Sequence, residues 1–308
     1  MTGALRTVLG ACAAALALAA APATLDPDAS YPEGAFYLDG RLLYAEMGAD
    51  RVSQIVQGRK TTFWSEPGCG PTSIATYAEG VLIFCHIGER FAYVGKDGVT
   101  RRHFGRAPDA TASPVPVGNP NDGIADDKGG VYYSDPGPFS KRAAPQGYVK
   151  RLGPDGAVTT VAEGLWYPNG IWFDRRAQKL YVDEHLARRV LRYDVAADGS
   201  LGNREVFAAI DQIAPPSPPP RYAEAGVDGL EMAPNGDLVV AVYGEGRLLQ
   251  IAPNGKLRRV IPVPFRYVTN IAFAPSGDAA IVGSLINDQP PFPGQVILLP
   301  AATFAAPH

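Results

Sequence analysis

Short apolar runs separated by polar turns recur along the chain roughly every 40 to 60 residues, a spacing typical of propellers and solenoids. In each repeat a polar residue opens an apolar strand, a glycine-containing turn follows, and a second and a third strand continue the unit. The six opening residues are Glu33, Thr72, Asn121, Asn169, Asp228 and Thr269. The pattern predicts an all-β chain folded as a six-bladed β-propeller.

The later strands of each repeat also follow from the pattern. Second strands are predicted at 41–47, 81–85, 131–134, 179–182, 237–242 and 278–282, and third strands at 51–56, 91–94, 147–151, 189–193, 246–251 and 294–299. The sixth repeat lacks an obvious outer strand. Either the segment after the N-terminal apolar run or the tail near Thr303 and Phe304 therefore closes the ring. A proline run at 215–220 forms a loop over the channel mouth or a plain surface insertion.

The innermost strands of a propeller run parallel around a central channel, so the residues that open them converge from distant parts of the sequence. Here the converging set holds two carboxylates, two carboxamides and two hydroxyls, without histidine or cysteine. Oxygen ligands of this kind suit Ca²⁺ better than zinc. The repeat therefore predicts a metal site in the central channel.

Residues 1–23 have the pattern of a secretory signal peptide, in which Arg6 precedes an apolar run and Ala21-Pro22-Ala23 offers a cleavage site. The run is too short and too rich in alanine for a good membrane span. Cys12 lies inside the run rather than after it, so a lipid anchor is less favoured. The sequence predicts a periplasmic or secreted protein whose residues 24–308 form one propeller domain.

The charge pattern excludes some classes of partner. The formal net charge is −3, and lysine and arginine are scattered along the chain. Proteins that bind nucleic acids or anionic membranes carry a basic stripe instead. We therefore expect a small-molecule partner, and a monomer or a weak homo-oligomer.

Two cysteines remain after the predicted leader, Cys69 and Cys85. An even pair in an oxidising compartment favours a disulfide, and hairpin pairing would bring these two residues near each other. Two buried free thiols are the alternative.

Four short motifs occur in order at the repeat spacing: Pro32-Glu33-Gly34, Pro120-Asn121-Asp122, Pro168-Asn169-Gly170 and Val227-Asp228-Gly229. Together with the stretch 228–247 they resemble the SMP-30/gluconolactonase/regucalcin family, including its bacterial drug-responsive lactonases. The resemblance covers essentially the whole chain after the leader. It implies a six-bladed propeller, a divalent cation on the channel axis and hydrolysis of a lactone.

The resemblance also implies roles for single residues. Glu33, Asn169 and Asp228 would bind the cation, with Ca²⁺ preferred and Zn²⁺, Mn²⁺ or Mg²⁺ as alternatives. Asn121 would lie beside them and contact metal, water or substrate, as a further ligand and catalytic residue. Asp228 is also the predicted general base, because a carboxylate there can take a proton from the attacking water. Asp122 is a secondary candidate that orients the site.

Four residues are predicted to bind the substrate: Asn119, His86, His185 and Tyr243. Asn119 stands where sugar-lactone members of the family often carry arginine, which departs from the pattern for polyhydroxy lactones. Aromatic residues near strand ends line an apolar pocket or pack in the core; they are Tyr133, Trp166, Tyr167 and Tyr243.

The leading hypothesis is an exported, Ca²⁺-dependent lactonase that acts on a small lactone or ester. A cation in the channel would polarise the ester carbonyl while water attacks it. Two other functions remain open. One is an arylesterase or phosphotriesterase on the same site, and the other is a non-catalytic propeller that uses the cation structurally.

Overall fold

The structure, a computed structural model, describes residues 22–106, 116–142, 144–216, 225–286 and 292–305. The predicted leader lies outside these residues except for its last two positions, and so do residues 217–220 of the proline run. Six antiparallel sheets of four strands each make up the fold. Every inner strand contacts the inner strands of both neighbouring sheets, which closes the ring. The six-bladed β-propeller is therefore confirmed.

The first three blades follow a strand that precedes them, β1 (Ala23–Ser30). Each blade runs from its inner to its outer strand in sequence order. The strands are β2 (Pro32–Leu38), β3 (Arg41–Glu46), β4 (Arg51–Val56) and β5 (Arg59–Ser65); β6 (Pro71–Tyr77), β7 (Gly80–Cys85), β8 (Arg90–Gly95) and β9 (Thr100–Gly105); β10 (Gly123–Ala125), β11 (Val131–Asp135), β12 (Gly147–Leu152) and β13 (Val158–Leu165).

The fourth and fifth blades repeat this order, and the sixth takes β1 as its outer strand. Within the described ranges, short helices occur only in the connections and after β24. The strands are β14 (Pro168–Asp174), β15 (Lys179–Glu184), β16 (Arg189–Val195) and β17 (Leu201–Ala209); β18 (Gly226–Met232), β19 (Leu238–Tyr243), β20 (Arg247–Ile251) and β21 (Leu257–Pro262); β22 (Tyr267–Phe273), β23 (Ala279–Ser284) and β24 (Pro293–Leu299). The helices are α1 (Ile210–Ile213) and two 3₁₀ turns, Met47–Ala49 and Ala301–Phe304.

The second strands are buried on both faces, because each blade packs between two others. All six residues of β7, and all six of β19 and β23, are buried. Apolar side chains on both faces of a strand are what such a sandwiched position requires. The outer strands face water more, and residues 202–206 of β17 are mostly exposed. Hydrophobic burial between blades therefore holds the ring together.

Tight turns link the strands where the sequence predicts them. Leu38 pairs with Arg41 across β2 and β3, which leaves Asp39 and Gly40 as a two-residue turn. Their φ angles are 48° and 77°. A turn of this kind needs positive φ at both central positions, which Asp-Gly provides at little cost.

The N-terminal segment closes the ring. Strand β1 pairs antiparallel with β24 and becomes the outer strand of the sixth blade. The tail alternative is wrong, because Ala301–Phe304 forms a 3₁₀ turn. Buried Asp26 of β1 accepts hydrogen bonds from the Tyr44 hydroxyl at 2.7 Å and from Lys60 Nζ at 2.6 Å. These bonds fasten the closing strand to the first blade.

A disulfide joins Cys69 to Cys85, with a Cα–Cα separation of 4.4 Å. It links the turn before β6 to the end of β7, so the free-thiol alternative is not what the structure contains. No helix among the described residues is long and apolar enough to cross a membrane.

Candidate functional site

The inner strands begin on the same face of the propeller as the second strands end. Pro32 pairs with Glu46 and Pro168 pairs with Glu184, so the opening residues and the loops after the second strands share this face. Five of the six inner strands shift register at or next to the opening residue. Such bulges re-aim side chains out of the regular pleat. We call this end of the channel the mouth.

Glu33 and Asp228 form an acidic pair on the channel axis. Burial, and then the charges of Asp228 and Asp122, raise the pKa of Glu33 well above its usual value. Burial and Asp122 likewise raise the pKa of Asp228. None of the groups that shift these two pKa values is basic. Asp228 is buried, whereas Glu33 is partly exposed.

Asn169 is held beside this pair by three contacts. Its carboxamide donates a hydrogen bond to Asp228. The Ser134 hydroxyl donates to its backbone carbonyl at 2.7 Å. Asp183 accepts the backbone N–H groups of Asn169 and of Gly170, the latter at 3.0 Å. With its amide nitrogen on Asp228, Asn169 has its side-chain oxygen left as an acceptor.

Asp183 is a residue of the site that the sequence did not reveal. It is fully buried on β15, and burial followed by the charges of Asp228 and Asp122 raises its pKa well above the usual value. It fixes the backbone from which Asn169 projects. Its signal in the sequence is an acidic residue that directly follows the apolar run 180–182.

Asn121 precedes β10 and occupies the opening position of the third blade. Its backbone N–H donates to the Ser134 carbonyl at 2.9 Å, and its carbonyl accepts from the Thr72 hydroxyl at 2.7 Å. The adjacent Asp122 accepts the Ser73 hydroxyl at 2.6 Å and the Gly123 N–H at 2.8 Å. Burial raises the pKa of Asp122 to about 6.

The sequence places the hydroxyls of the two opening threonines in the ring of oxygen ligands. In the structure they have a different role. Thr72 donates to the backbone of the third blade, and Thr269 donates to the Pro32 carbonyl of the first blade at 2.6 Å. These hydroxyls fasten neighbouring blades. The axial oxygen donors of the opening residues are therefore carboxylates and carboxamides.

The channel continues below the axial residues as a cavity of about 160 Å³. Asp122, Glu231 and Asn270 are among the residues that line it. Glu231 accepts the Phe273 N–H at 3.2 Å, and burial raises its pKa to about 8, with Asp122 adding to the shift. The channel is thus acidic along its length.

Two tyrosines stand next to the axial carboxylates. The hydroxyl oxygens of Tyr31 and Tyr243 lie 3.2 Å apart, and both side chains are buried. Burial and the charges of Glu33 and Asp228 contribute to a raised pKa of Tyr31. Tyr31 is absent from the sequence prediction. Its signal is the repeated motif Tyr-Pro-Glu-Gly at 31–34 and Tyr-Pro-Asn-Gly at 167–170.

The other predicted substrate residues lie at the mouth. His185 packs against Tyr167 and Tyr243, with ring centroids 5.9 and 5.8 Å away. His86 follows β7, and the side-chain amide of Asn119 donates to its carbonyl at 3.2 Å. Burial lowers the pKa of His86, against an opposing hydrogen bond to the Pro120 backbone. The Asn119 amide thus joins two loops. The two histidines lie in different blades, His86 after β7 and His185 after β15.

The donor set fits a hard divalent cation. Two neighbouring carboxylates that are largely removed from water are costly unless a positive charge joins them. Carboxylate and carboxamide oxygens are the ligands that Ca²⁺ takes in proteins. No cluster of three His, Cys, Asp or Glu side chains suited to a metal occurs in the part of the chain that the structure describes. The proposed donors include only two side chains of these types, the carboxylates of Glu33 and Asp228. The other two donors are the amides of Asn121 and Asn169.

The fold and the acidic channel define a class of protein, the six-bladed propellers with an axial site at one end of the channel. Residues 31–284 match the model of the SMP-30/gluconolactonase/LRE-like region. The chain belongs to this family.

Individual relatives are more distant. A pentonolactonase of Haloferax volcanii is 32% identical over 154 residues, which cover 50% of this chain and 48% of that protein. Lactonase drp35 of Staphylococcus saprophyticus is 24% identical over 253 residues, 79% of this chain and 71% of that protein. The chain thus matches about half the length of the first relative. The structure of a calcium-binding protein, regucalcin, from Agrobacterium tumefaciens aligns with a TM-score of 0.71 at 20% identity, covering 91% of this chain and 93% of that one.

Proposed function

We propose that this protein is an exported, Ca²⁺-dependent lactonase that opens a cyclic ester by hydrolysis. The observation that carries the proposal is the pair of partly exposed Glu33 and buried Asp228 beside the carboxamide of Asn169, with no basic group among those that shift the two pKa values. The names of the relatives, a pentonolactonase and a lactonase, support the reaction. The calcium-binding protein of the same fold agrees with the choice of cation.

Glu33, Asn169, Asp228 and Asn121 are the residues that would hold the cation. A bound divalent cation withdraws electron density from an ester carbonyl and favours the ionisation of water at neutral pH. Two carboxylates against one dication leave the site nearly neutral. Ca²⁺ is the first choice, and Zn²⁺, Mn²⁺ and Mg²⁺ are the alternatives to test.

Asp228 is the proposed general base. Its carboxylate belongs to the axial pair, where it can accept a proton from water. It takes one proton from the attacking water as the water oxygen bonds to the carbonyl carbon. When the ring C–O bond breaks, the same proton passes to the leaving alkoxide. The product is a hydroxy acid, and Asp228 returns to its starting state.

The surrounding residues orient this reaction. Asp183 and Ser134 hold the backbone of Asn169, so the carboxamide stays against Asp228. Asn121 projects from the next opening position and is proposed to hold water or the substrate oxygen. The hydroxyls of Tyr31 and Tyr243 stand beside the carboxylates, where they can hydrogen-bond an ester oxygen.

Export and a periplasmic or secreted location are part of the proposal. The leader-like pattern of residues 1–23 supports it. The bond between Cys69 and Cys85 supports it as well, because disulfides persist mainly in oxidising compartments.

The test is hydrolysis of a lactone panel by the purified protein, before and after chelation, with each of the four metals restored. We expect activity that disappears with the chelator and returns with Ca²⁺. Aryl esters and phosphotriesters in the same panel test the alternative hydrolase activities. Metal binding without any hydrolysis would instead identify a non-catalytic propeller, and full activity in the chelator would contradict the metal-dependent mechanism.

The matched variants are Asp228→Asn and Asp198→Asn. Asp198 is an exposed residue in the turn between β16 and β17, at the end of the blade away from the mouth. Its substitution therefore controls for the loss of one charge. We expect Asp228→Asn to lower kcat at least about a hundredfold, the usual contribution of a general base, and to weaken Ca²⁺ binding. Equal kcat in the two variants would rule Asp228 out as the base.

A further inference from the structure

Aromatic rings form a continuous wall from the rim of the mouth to the channel axis. At the rim, Phe139 contacts Tyr167 and His185, with ring centroids 4.8 and 5.5 Å away. His185 leads to Tyr243 at 5.8 Å, and the Tyr243 hydroxyl meets that of Tyr31. We call this set the aromatic wall; its members are Phe139, Tyr167, His185, Tyr243, Tyr31 and Phe292, the last with its ring 6.2 Å from that of Tyr31.

The wall is exposed at the rim and buried further in, where His185 is 3% exposed, while Phe292 beside Tyr31 is partly exposed. Phe139 is 43% exposed, whereas Tyr243 is 7% and Tyr31 is 6% exposed. A row of aromatic rings that served only the core would be buried at both ends. The wall instead opens to solvent at one end and finishes beside the axial carboxylates at the other.

The mouth carries further apolar side chains in the loops between second and third strands. Ile87, Leu285 and Ile286 are 62%, 40% and 42% exposed and lie in the loops after β7 and β23. Phe139 lies in the corresponding loop after β11. These loops share the face of the opening residues, because the second strands end there. An exposed apolar surface with a polar rim is a feature of ligand-binding grooves.

The inner end of the wall is polar. Tyr31 and Tyr243 present hydroxyls there, and the charges of Glu33 and Asp228 act on Tyr31. A ligand that lies along the wall therefore meets rings near the rim and hydroxyls and carboxylates near the axis. A small number of precisely placed polar groups at the end of an apolar surface fixes the orientation of a small molecule.

We propose that the aromatic wall binds an apolar alkyl or aryl substituent of the substrate and that Phe139 determines this specificity. The inference rests on the proposed lactonase function and names its substrate class, lactones with an apolar substituent rather than polyhydroxy lactones. The substituent lies against the rings, and the ester group reaches the axial residues. Asn119, at the position where sugar-lactone members often carry arginine, is consistent with this substrate class. Its amide donates a hydrogen bond to the His86 carbonyl at the mouth.

The experiment compares kcat and KM for three lactones: γ-butyrolactone, γ-nonalactone with its pentyl chain, and glucono-δ-lactone. Wild type is expected to prefer the pentyl-substituted lactone over the other two by at least about tenfold in kcat/KM, since burying a short alkyl chain is worth such a factor. Phe139→Ala should remove most of that preference through a higher KM. Phe139→Leu should restore part of it.

The control is Val99→Ala. Val99 is 52% exposed in the turn between β8 and β9, at the opposite face of the propeller. It removes a comparable exposed apolar group without touching the mouth. A preference for glucono-δ-lactone, or equal effects of Phe139→Ala and Val99→Ala, would overturn the proposal.

A binding experiment separates failure of this inference from failure of the proposed function. Saturation-transfer NMR with 5-pentyl-2-pyrrolidinone and with unsubstituted 2-pyrrolidinone needs no hydrolysis. Signal transfer to the pentyl group that Phe139→Ala weakens and Val99→Ala leaves intact supports the wall even in a protein that hydrolyses no lactone. No difference between the two lactams would sink the inference even if lactones are hydrolysed.

Discussion

Two tyrosines show how single residues set the position of the axial groups. Tyr31 and Tyr167 have φ angles of 44° and 54°, and each precedes a proline. The left-handed conformation costs a non-glycine residue on the order of 1–3 kcal/mol. The neighbours hold it in place, since Phe292 accepts the Tyr31 N–H and Tyr167 accepts the His185 N–H. In both cases the residue with this conformation lies two positions before an opening residue, Glu33 or Asn169. This indicates that the two tyrosines help to orient those opening residues.

Glu231 makes the stability of the protein depend on pH. It lines the channel cavity with Asp122 and Tyr37 and accepts the Phe273 N–H, and no basic side chain lines that cavity among the described residues. Burial raises its pKa to about 8. Between the ordinary pKa and this value, the unfolded chain has lost its proton while the folded chain retains it. The free energy of unfolding therefore falls as pH rises through this window.

We expect Glu231→Gln to flatten this dependence. Relative to wild type, the variant should gain stability from pH 5 to pH 8, by on the order of a few kcal/mol, since one pKa unit is about 1.4 kcal/mol. Urea unfolding in the presence of a chelator measures it without bound cations. Glu79→Gln, an exposed turn substitution, is the control. Parallel pH profiles for wild type and Glu231→Gln would contradict the expectation.

The sequence indicates some residues of the site and hides others for a physical reason. Glu33, Asn169 and Asp228 stand at the start of inner strands, so the repeat alone brings them to one end of the channel. Thr72 satisfies the same rule, yet its hydroxyl donates to a carbonyl, and only the position of the neighbouring blade decides that use. Asp183 accepts backbone N–H groups of the neighbouring strand β14, a contact that no local pattern encodes.

At the scale of elements, the second and third strands follow from the sequence and the outer strands follow less well. Strand β4 has the ends that the apolar pattern predicts, because its buried neighbours demand apolar residues. Strand β17 is mostly polar and exposed, so periodicity reveals little of it. The closing strand β1 contains Pro27 and two acidic residues, buried Asp26 and exposed Asp28, so its sequence does not have the pattern of a strand. Its assignment depends on a partner 270 residues away, β24.

The disulfide is expected to stabilise the second blade. Cys69 and Cys85 are 16 residues apart, and closing a loop of this size contributes about 3 kcal/mol. Wild type should therefore lose several degrees of Tm when a reductant is added. The double variant Cys69→Ala/Cys85→Ala should unfold at a lower Tm that the reductant does not change. A wild-type Tm that ignores complete reduction would contradict a stabilising bond.

At the scale of the whole molecule, ring closure depends on a few buried polar contacts. Asp26 is 4% exposed and accepts hydrogen bonds from Tyr44 and from Lys60, both in the first blade. Lys60 also pairs with Glu46 at 3.0 Å. The closing strand thus joins the sixth blade by its backbone and the first blade by its side chains.

Asp26→Ala is expected to loosen this junction. The change leaves the buried Tyr44 hydroxyl without its acceptor and should lower the free energy of unfolding by about 2 kcal/mol. Asp28→Ala, in the same strand but exposed, should lie within about 0.5 kcal/mol of wild type. Chemical denaturation of the three proteins measures the difference, and equal stabilities would show that the contacts contribute nothing to closure.

The order of synthesis gives this closure a further consequence. Strand β1 leaves the ribosome first, and β24, the strand it must join, leaves it last. Before residue 299 has been made, the chain is a row of hairpins without a ring. Such a chain remains threadable, and it can pass through a translocation channel before any propeller exists to obstruct it. The late joining of its two ends is compatible with the export proposed above.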